Sequence, residues 1–563
     1  MSILFNLNFI FLLVCSTRAS VIRNNDLFEL SVVHLNDFHA RFEQTNMNGA
    51  ACKPGNTQCI GGFSRMYATI MQMLKENPGA VLLNAGDDFQ GTMYYSLGKW
   101  NVTQEFMNKL PIDAQVLGNH EFDDGIDGVV PYIKALKHPV IVSNIDDSLE
   151  PRMQGIYSKS TVIKRNGEKI GIVGVIVESC DEISNTEKLR FLPESASVNA
   201  EAERLVEEEG VFTVIVLSHS GYDHDRLIAK NASDKISLIV GGHSHTFLYT
   251  GDNPPGPETA KGPYPTIVQK PNGHDVLITQ ASAFSKYIGN ITVYLDGNGE
   301  IAGYDGAPIF LSPELPQDEK INQDIMPWKK MIDDQGSKVI GSTLVTLDKS
   351  ACYHAECTLG NFFADSMVWA YTKKSDEYSW TKGAIAVMNS GGARTTIEIG
   401  NITFNDMMTA APFGNTIDIG NMKGIYLKEL FERNMFPYTY YGYASGVKLL
   451  QYSGVQIVFD MSRPLGKRVV SAKVRCQNCT IPVYEDLDEE KTYRIIVPSF
   501  LVKGGDGYNT IRDYLTDVEI GPSDIDVFVD YLAHRSPVFE EIEGRTFIRR
   551  RELIVDRNTW NPE

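Results

Sequence analysis

The sequence predicts an α/β protein with at least two domains. Short apolar runs typical of β-strands alternate with helical stretches such as residues 64–75 and 200–208, which is the pattern of helices packed on a sheet. The chain has 563 residues, more than one hydrophobic core usually holds. A layered α/β domain followed by a second domain is therefore the expected architecture.

A short proline-containing stretch marks the predicted boundary between the domains. Pro313 and Pro316 precede residues 321–332, which have the apolar spacing and charge of a helix. We predict a first domain over residues 20–315, a linker helix over 316–337, a second domain over 338–550 and a polar tail over 551–563.

The N-terminus is typical of a secretory signal peptide. Residues 3–14 are apolar but too short to span a bilayer, and small residues near Ala19 suit cleavage, so residues 1–19 are predicted to be removed. Lys and Arg are missing ahead of this stretch, and a disordered or buried N-terminus is the alternative. With no later apolar span and no C-terminal anchor signal, we expect a soluble, secreted, extracellular protein without a membrane anchor.

The cysteines support an oxidising compartment. Six of the eight form close pairs, Cys52 with Cys59, Cys352 with Cys357 and Cys476 with Cys479. The last spacing also occurs in zinc and redox motifs, but no second such pair completes a zinc site. Cys180 is expected to be a buried free thiol. In a secreted chain the candidate glycosylation sites are Asn101, Asn231, Asn290, Asn401 and Asn478.

The net charge restricts the partners. A formal charge of −19 argues against a nucleic acid polymer, whose phosphates need a basic surface. A small phosphorylated ligand is still compatible, because it needs only local positive charge from divalent cations and a few arginines.

Polar side chains follow five of the predicted strands. The strands at residues 30–35, 81–83, 114–117, 214–217 and 236–240 lead into Asp37 and His39, Asp87, Asn119 and His120, His219, and His243 and His245. Because ligands bind at the carboxyl ends of strands in α/β folds, we expect these groups to converge. Each motif alone is weak, since a lone histidine is more often structural than a ligand.

Their composition indicates two divalent metal ions. Carboxylate and amide oxygens with imidazole nitrogens suit zinc, manganese or iron, and calcium or magnesium are also candidates, so the metal identity stays open. Two such ions can polarise a phosphoryl group and activate a water molecule.

The ordered set of motifs resembles the calcineurin-like metallophosphoesterase superfamily. Residues 39–45, 84–92 and 118–123 are more closely similar to the animal 5'-nucleotidase and apyrase family, over nearly the whole mature chain. The resemblance implies an N-terminal four-layer α/β/β/α metallophosphoesterase domain and a C-terminal α/β nucleotide-binding domain, joined by the linker helix as a hinge.

The resemblance also implies roles for individual residues. One metal would be held by Asp37, His39 and His245, the second by Asn119, His219 and His243, and Asp87 would bridge them. His120, oriented by Asp123, would stabilise the transition state or protonate the leaving oxygen; the alternative for His120 is a metal ligand.

In the second domain the resemblance implies a nucleoside site. Asn389 and Arg394 would contact the anion, Phe413 and Phe500 would sandwich the base, and Asp506 would bind the ribose. From the residues alone, the glycine-containing loop at 389–394 is equally a structural turn, and both phenylalanines are more simply core residues.

The implied activity is that of an apyrase cutting ATP and ADP to AMP. The segments 84–103 and 411–416 are most similar to secreted salivary apyrases of blood-feeding insects, which restrain platelet aggregation. A 5'-nucleotidase cutting AMP is the alternative, and a non-catalytic binding protein is a remote one. Two departures from the family are Tyr353, where an arginine is usual, and Ser390 in place of glycine. Base preference and oligomeric state stay open.

Overall fold

The computed structural model describes residues 27–47, 52, 55–372, 379–436, 438–440, 443–445 and 448–549. The signal peptide predicted at residues 1–19 and the polar tail predicted at 551–563 lie outside the described residues. None of the helices in these ranges is long and apolar enough to cross a membrane.

The first half of the chain alternates strands and helices as expected. Its strands are β1 (Phe28–Leu35), β2 (Val81–Asn84), β3 (Ala114–Gln115), β4 (Ile145–Asp146), β5 (Ser160–Arg165), β6 (Glu168–Ile176), β7 (Arg190–Phe191), β8 (Thr213–His219), β9 (Ile236–Val240), β10 (Thr266–Gln269), β11 (Asp275–Thr279), β12 (Tyr287–Leu295), β13 (Ile301–Gly306) and β14 (Ile309–Phe310). Its helices are α1 (Phe63–Glu76), α2 (Met93–Met107), α3 (Ile126–Ala135), α4 (Cys180–Ile183), α5 (Glu194–Arg204) and α6 (Tyr222–Lys230).

These strands form two large sheets. One has the order β13-β12-β1-β2-β3, with β14 also paired to β12, and the other has the order β10-β11-β9-β8-β6-β5. Within the first sheet β1, β2 and β3 are parallel, and within the second β6, β8, β9 and β11 are parallel. The carboxyl ends of these central strands therefore lie at one edge of each sheet.

The two sheets pack face to face between two layers of helices. In β1, Leu30 and Val32 join a core shared with the second sheet, whereas Val33 and Leu35 face helices α1 and α2. In the second sheet, β8 likewise contributes alternate residues to the shared core and to a core with α5 and α6. A strand buried on both faces needs apolar residues at every position, which explains the unbroken apolar runs. The four-layer α/β/β/α prediction is confirmed.

The linker stretch is a helix, α7 (Glu319–Gly336). It begins where the Asp318 side chain accepts a hydrogen bond from Ile321 N at 2.9 Å, an N-cap interaction. Ile321 and Ile325 pack into the core of the first half, and Trp328 Nε1 donates to Glu105 Oε2 at 3.0 Å. The helix is thus fastened to the first half of the chain along its length.

The second half is also α/β. Its strands are β15 (Val339–Thr343), β16 (Ile385–Asn389), β17 (Gly400–Thr403), β18 (Ile417–Lys423), β19 (Tyr438–Tyr440), β20 (Tyr443–Ser445), β21 (Leu450–Ser453), β22 (Val455–Asp460), β23 (Val469–Arg475), β24 (Tyr484–Asp486), β25 (Thr492–Pro498), β26 (Thr516–Glu519) and β27 (Thr546–Arg549). Its helices are α8 (Thr358–Thr372), α9 (Phe404–Ala410), α10 (Gly424–Arg433), α11 (Ser499–Val502), α12 (Asn509–Tyr514) and α13 (Asp524–Arg535).

A five-stranded sheet of order β21-β16-β25-β18-β26 organises this half. Helices α8, α9 and α13 cover one face, and α10, α12 and a four-stranded sheet of order β24-β23-β22-β27 cover the other. The predicted C-terminal α/β fold is therefore confirmed.

The predicted cysteine pairing is confirmed as well. Disulfides join Cys52 to Cys59, Cys352 to Cys357 and Cys476 to Cys479. Cys180 is a buried free thiol, as expected. Each bridge closes a short loop and so constrains local geometry.

Candidate active site

The predicted ligand residues meet where the two sheets of the first half end together. Asp37 follows β1, Asp87 follows β2, and His219 is the last residue of β8. His243 and His245 lie just beyond β9. The convergence follows from topology, because these strands are parallel to their neighbours and end at the same edge.

The side chains form two clusters that share one carboxylate. In the first, ligand atoms of Asp37, His39, Asp87 and His245 all lie within 4.8 Å of one another, and in the second those of Asp87, His219 and His243 do the same. Asn119 joins the second cluster, since its Oδ1 is 2.8 Å from His243 Nδ1. The structure thus groups these residues as the resemblance implied, and their metal-binding roles remain a prediction.

The orientation of two imidazoles fits cations between these groups. His219 Nδ1 bonds to Ala85 O at 2.6 Å, and His39 Nδ1 bonds to Phe89 O at 3.1 Å. In a neutral ring the Nδ1 atom then carries the hydrogen, so each Nε2 atom has a free lone pair. They face Asp87 Oδ2 at 3.1 Å and His245 Nε2 at 3.0 Å, respectively. Converging lone pairs repel one another unless a cation lies among them, so this donor set suits divalent ions.

The carboxylate charges of this cluster favour protonation of His219. Burial lowers the pKa of His219, but the charges of Asp87 and Asp37 outweigh it and raise that pKa to about 10. Burial would raise the pKa of Asp87, yet His219 and His120 hold it well below its usual range. Cation binding here would therefore be accompanied by proton release.

The backbone at the cluster adopts an uncommon conformation. The ligand candidates with left-handed φ angles are Asp37 (51°), His39 (50°), Asp87 (58°), His243 (71°) and His245 (52°). Such a conformation costs about 1–3 kcal/mol per non-glycine residue and is concentrated at functional sites. The surrounding hydrogen bonds must hold these turns in place.

Glu121 supplies part of that support, and the sequence argument had assigned it no role. Its buried carboxylate accepts hydrogen bonds from the backbone N–H groups of residues 87–89 and of Gly118, at 2.5–3.1 Å. These bonds tie the loop after β2 to the loop after β3. The strand β3 ends at Gln115 rather than at residue 117, and Asn119–Phe122 form a single 3-10 turn after it. The sequence feature that could have indicated this role is that Glu121 lies within the segment 118–123, which carries the family resemblance.

His120 and Asp123 form a pair beside the clusters. His120 Nδ1 is 2.7 Å from Asp123 Oδ2, which also accepts from Gln90 Nε2 at 3.1 Å. The His120 backbone N–H donates to Asp87 Oδ1 at 2.9 Å. Burial lowers the pKa of His120, but Asp123 and Asp87 outweigh it, so the pKa is raised. The ring is thus oriented by Asp123, as the resemblance implied.

Two predicted substrate residues from the second half reach this centre. Arg394 Nη2 lies 3.4 Å from His39 Nε2, and the Arg394 guanidinium lies 5.3 Å from the centroid of the Phe413 ring. Phe413 in turn stacks on His120. A charge and an aromatic ring from the second half therefore border the predicted metal ligands.

The other predicted substrate residues form a second group. Asn389 Nδ2 is 3.4 Å from Asp506 Oδ2, and Lys448 Nζ is 2.9 Å from Asp506 Oδ1. Phe500 is half-buried against Gly505 and joins the edge of a core cluster, so both the stacking and the structural interpretation remain compatible with its position. The predicted sandwich of a base between Phe413 and Phe500 stays a prediction.

Other polar residues that sequence reasoning missed also shape the centre. Asn36 Nδ2 donates to Asp37 Oδ2 at 2.7 Å and to Ser282 O at 2.6 Å, which holds the first ligand in place. Arg41 is buried beside the same loop. The sequence signal for Asn36 was its position next to Asp37, and for Arg41 its position within the segment 39–45 that carries the family resemblance.

Both halves of the chain match known families. Residues 30–247 match the calcineurin-like phosphoesterase family, and residues 339–513 match the 5'-nucleotidase C-terminal domain. The first match contains all seven predicted metal ligands and the second contains the five predicted substrate residues.

Whole-length relatives carry both halves together. An apyrase of Tabanus yao is 48% identical over 518 residues, covering 92% of this chain and 93% of its own. A 5'-nucleotidase of Rattus norvegicus is 37% identical, with 92% and 90% covered. The crystal structure of a 5'-nucleotidase precursor from Thermus thermophilus is similar with a TM-score of 0.83 and 32% identity, covering 92% of this chain and 99% of that one.

Proposed function

We propose that this chain is a secreted apyrase. The premise is that it belongs to the 5'-nucleotidase and apyrase family of calcineurin-like phosphoesterases. It would hydrolyse ATP and ADP to AMP and phosphate. The observation that carries the proposal is the pair of ligand clusters sharing Asp87, bordered by Arg394 and Phe413 from the second half. This arrangement would provide cation sites, an anion-binding side chain and an aromatic surface in one place.

The first half would hold the phosphate to be cleaved. Asp37, His39 and His245 would bind one divalent ion, and Asn119, His219 and His243 the other, with Asp87 common to both. When bound, the ions supply Lewis acidity that polarises the phosphoryl group and lowers the pKa of a water molecule. Asn36 and Glu121 keep the ligand loops in their left-handed turns through hydrogen bonds.

His120 would assist departure of the leaving group. A water oxygen forms a bond to the terminal phosphorus while the bond from that phosphorus to the bridging oxygen breaks. The leaving oxygen of the product nucleotide would take a proton from His120, and the proton that the attacking water loses would remain on the released phosphate or pass to solvent. Asp123 fixes the imidazole through Nδ1 and so directs its other nitrogen toward the substrate.

The second half would bind the other parts of the nucleotide, namely its remaining phosphate oxygens, base and ribose. Arg394 is near enough to the clusters to contact phosphate oxygens, and its planar guanidinium suits that geometry. Phe413 offers a ring for stacking, and Asp506 lies beside Asn389 where a ribose hydroxyl could be bound. These roles follow the family resemblance.

The main competing function is that of a 5'-nucleotidase. Relatives named apyrase and relatives named 5'-nucleotidase share this architecture, and both reactions would place the scissile phosphate at the same clusters. We favour apyrase because the apyrase of Tabanus yao shares 48% of the aligned residues, against 37% for the rat 5'-nucleotidase. In blood, loss of ADP would restrain platelet aggregation.

Secretion is part of the proposal. It is supported by the signal peptide predicted at residues 1–19 and by three disulfides, which form in oxidising compartments. Four of the candidate glycosylation sites, Asn101, Asn231, Asn401 and Asn478, are exposed. Mass spectrometry of the protein from culture medium would test the cleavage near Ala19 and the attached glycans.

The deciding experiment is product analysis with separate substrates. Purified protein is incubated with ATP, ADP or AMP, each with calcium, magnesium, manganese or zinc, and the products are separated by chromatography. Accumulation of AMP without adenosine supports the apyrase. Rapid adenosine release from AMP with little attack on ADP would replace it with the nucleotidase.

Two variants anchor this assay. Asp87→Ala removes the shared carboxylate and gives the background rate, whereas Asp252→Asn changes an exposed aspartate and serves as the matched control. If the parent protein binds nucleotide and metal but releases no phosphate from any substrate, the non-catalytic binder becomes the correct description.

A further inference from the structure

Unpaired positive charge lies beside the candidate metal centre. Arg41 is 1% exposed, and its Nε and Nη2 atoms have no hydrogen-bond partner among the described residues. Its Nη1 donates to Gly91 O. The guanidinium is 4.6 Å from the centroid of the Phe284 ring, whose own centroid is 5.1 Å from that of His245. A buried guanidinium with two unused nitrogens is costly without an anion.

Lys349, from the second half, adds to this charge. Burial and repulsion from Arg394, Lys286 and Arg41 lower its pKa to about 8. Over the part of the chain that the structure describes, no carboxylate lies within ion-pair distance of Lys349 Nζ. The adjacent Asp348 accepts hydrogen bonds from two hydroxyl groups instead. Lys349 is therefore crowded by cations and lacks a counter-ion.

One of the neighbouring cations is already neutralised. Lys286 Nζ forms an ion pair with Glu258 Oε1 at 2.6 Å, so its charge is already balanced by a carboxylate. Arg394 and Arg41 make no ion pair with a carboxylate within the described ranges. The group of unpaired cations at this place is thus Arg41, Lys349 and Arg394.

Lys349 contacts the segment that carries Arg394, since its backbone N–H donates to Thr396 Oγ1 at 3.2 Å, two residues after Arg394. Its Nζ lies 6.0 Å from the centroid of the Tyr353 ring. The Tyr353 hydroxyl is directed to Gly391, where a Cβ atom would be 3.8 Å from that oxygen and 3.5 Å from Asp506 Oδ2. On the other side, Arg394 borders His39. Lys349 therefore has one neighbour, Tyr353, on the side of Asp506 and another, the segment of Arg394, on the side of His39.

We propose that Lys349 selects substrates with a second phosphate adjacent to the scissile one, by forming an anion subsite with Arg41 and Arg394. The inference rests on the proposed function and names its specificity determinant. A nucleoside monophosphate would use its sole phosphate at the metal clusters and leave these cations without an anion. ADP or ATP would place the next phosphate among them. Tyr353, which carries no charge, leaves Lys349 as the cation contributed by this loop.

The test compares Lys349→Met with the parent protein at saturating metal. We expect kcat/KM for ADP and for ATP to fall about 10- to 100-fold, the loss of one charged hydrogen-bonding group, with a much smaller fall for AMP. Lys349→Arg should retain most ADP hydrolysis, and adding Tyr353→Arg to Lys349→Met should restore part of it. Lys330→Met is the matched control, since Lys330 is exposed and pairs with Asp334 at 3.0 Å.

Two results would contradict the proposed role of Lys349 but leave the proposed apyrase activity standing. One is an equal loss for ADP and AMP, and the other is unchanged ADP kinetics, both with a parent protein that hydrolyses ADP. If the parent cleaves AMP alone, the apyrase proposal fails, and ADP is then used as an inhibitor of AMP cleavage. A Lys349→Met protein that ADP inhibits as strongly as the parent would reject the subsite. Lys349→Gln and thermal melting show whether any loss reflects misfolding.

Discussion

The Phe413 ring stacks on the imidazole of His120, with centroids 5.6 Å apart and planes 22° apart. The two residues come from different halves of the chain, so this contact joins the second half to the candidate centre. It also leaves at most one Phe413 face for a nucleobase while the stack persists. Substrate binding must therefore use the other face or displace His120, and Phe413 is coupled to both binding and chemistry.

That coupling predicts different kinetic effects for the two phenylalanines. Phe413→Ala should raise KM and also lower kcat, because His120 loses the ring that supports it. Phe500→Ala should mainly raise KM, with stacking worth about 1–3 kcal/mol per base. Steady-state kinetics on ADP measure both constants. Phe539→Ala is the control, because Phe539 is 60% exposed. Unchanged kinetics in Phe500→Ala would show that Phe500 has a structural role instead.

The shared carboxylate predicts loss of both metal and activity in one variant. Asp87→Ala should lower phosphate release by several orders of magnitude, because Asp87 belongs to both clusters. Metal content measured by mass spectrometry should fall together with activity, while circular dichroism should be unchanged. The parent protein stripped of metal should also be inactive and should recover when a divalent ion is returned. Near-normal turnover in either metal-free sample would contradict the two-metal chemistry.

Much of the centre could be predicted because its ligands lie in local sequence patterns. Asp37 and Asp87 follow mainly apolar strands within three residues and His219 ends one, and the direction of a parallel strand decides at which end of the sheet these residues lie. The apolar runs themselves predict buried strands, because β1 and β8 are covered on both faces. Local pattern and topology therefore agree for this part of the molecule.

The remaining features depend on contacts between segments distant in the chain. Nothing near Lys349 in the sequence indicates Arg41 and Arg394 as its neighbours, and the stack of Phe413 on His120 joins positions far apart. The role of Glu121 likewise depends on how the β2 and β3 loops meet. Such long-range juxtapositions are set by tertiary packing, which residue spacing alone does not specify.

Glu121 is predicted to act as a positioning residue. In Glu121→Gln the amide group would face backbone N–H donors that now bond to a carboxylate, so some of these bonds would be lost at about 1–3 kcal/mol. We expect weaker metal binding and a lower Tm, with kcat partly restored at high metal concentration. Metal titration followed by activity measures the first effect. An unchanged metal affinity would show that the loops hold their shape without Glu121.

Glu540 predicts a pH dependence of stability far from the candidate centre. Burial, followed by the charge of Asp365, raises the pKa of Glu540 to about 8 from its usual value near 4.5. The folded protein therefore binds this proton more tightly than the unfolded chain, and its free energy of unfolding decreases as pH rises through that window. Glutamine mimics the protonated acid. Glu540→Gln should have the same Tm as the parent near pH 4.5 and a higher Tm above pH 8, as measured by calorimetry. Glu541→Gln, at the exposed neighbouring position, should shift Tm equally at both pH values. An equal shift for Glu540→Gln would mean that its carboxyl group has the same pKa in the folded and the unfolded protein.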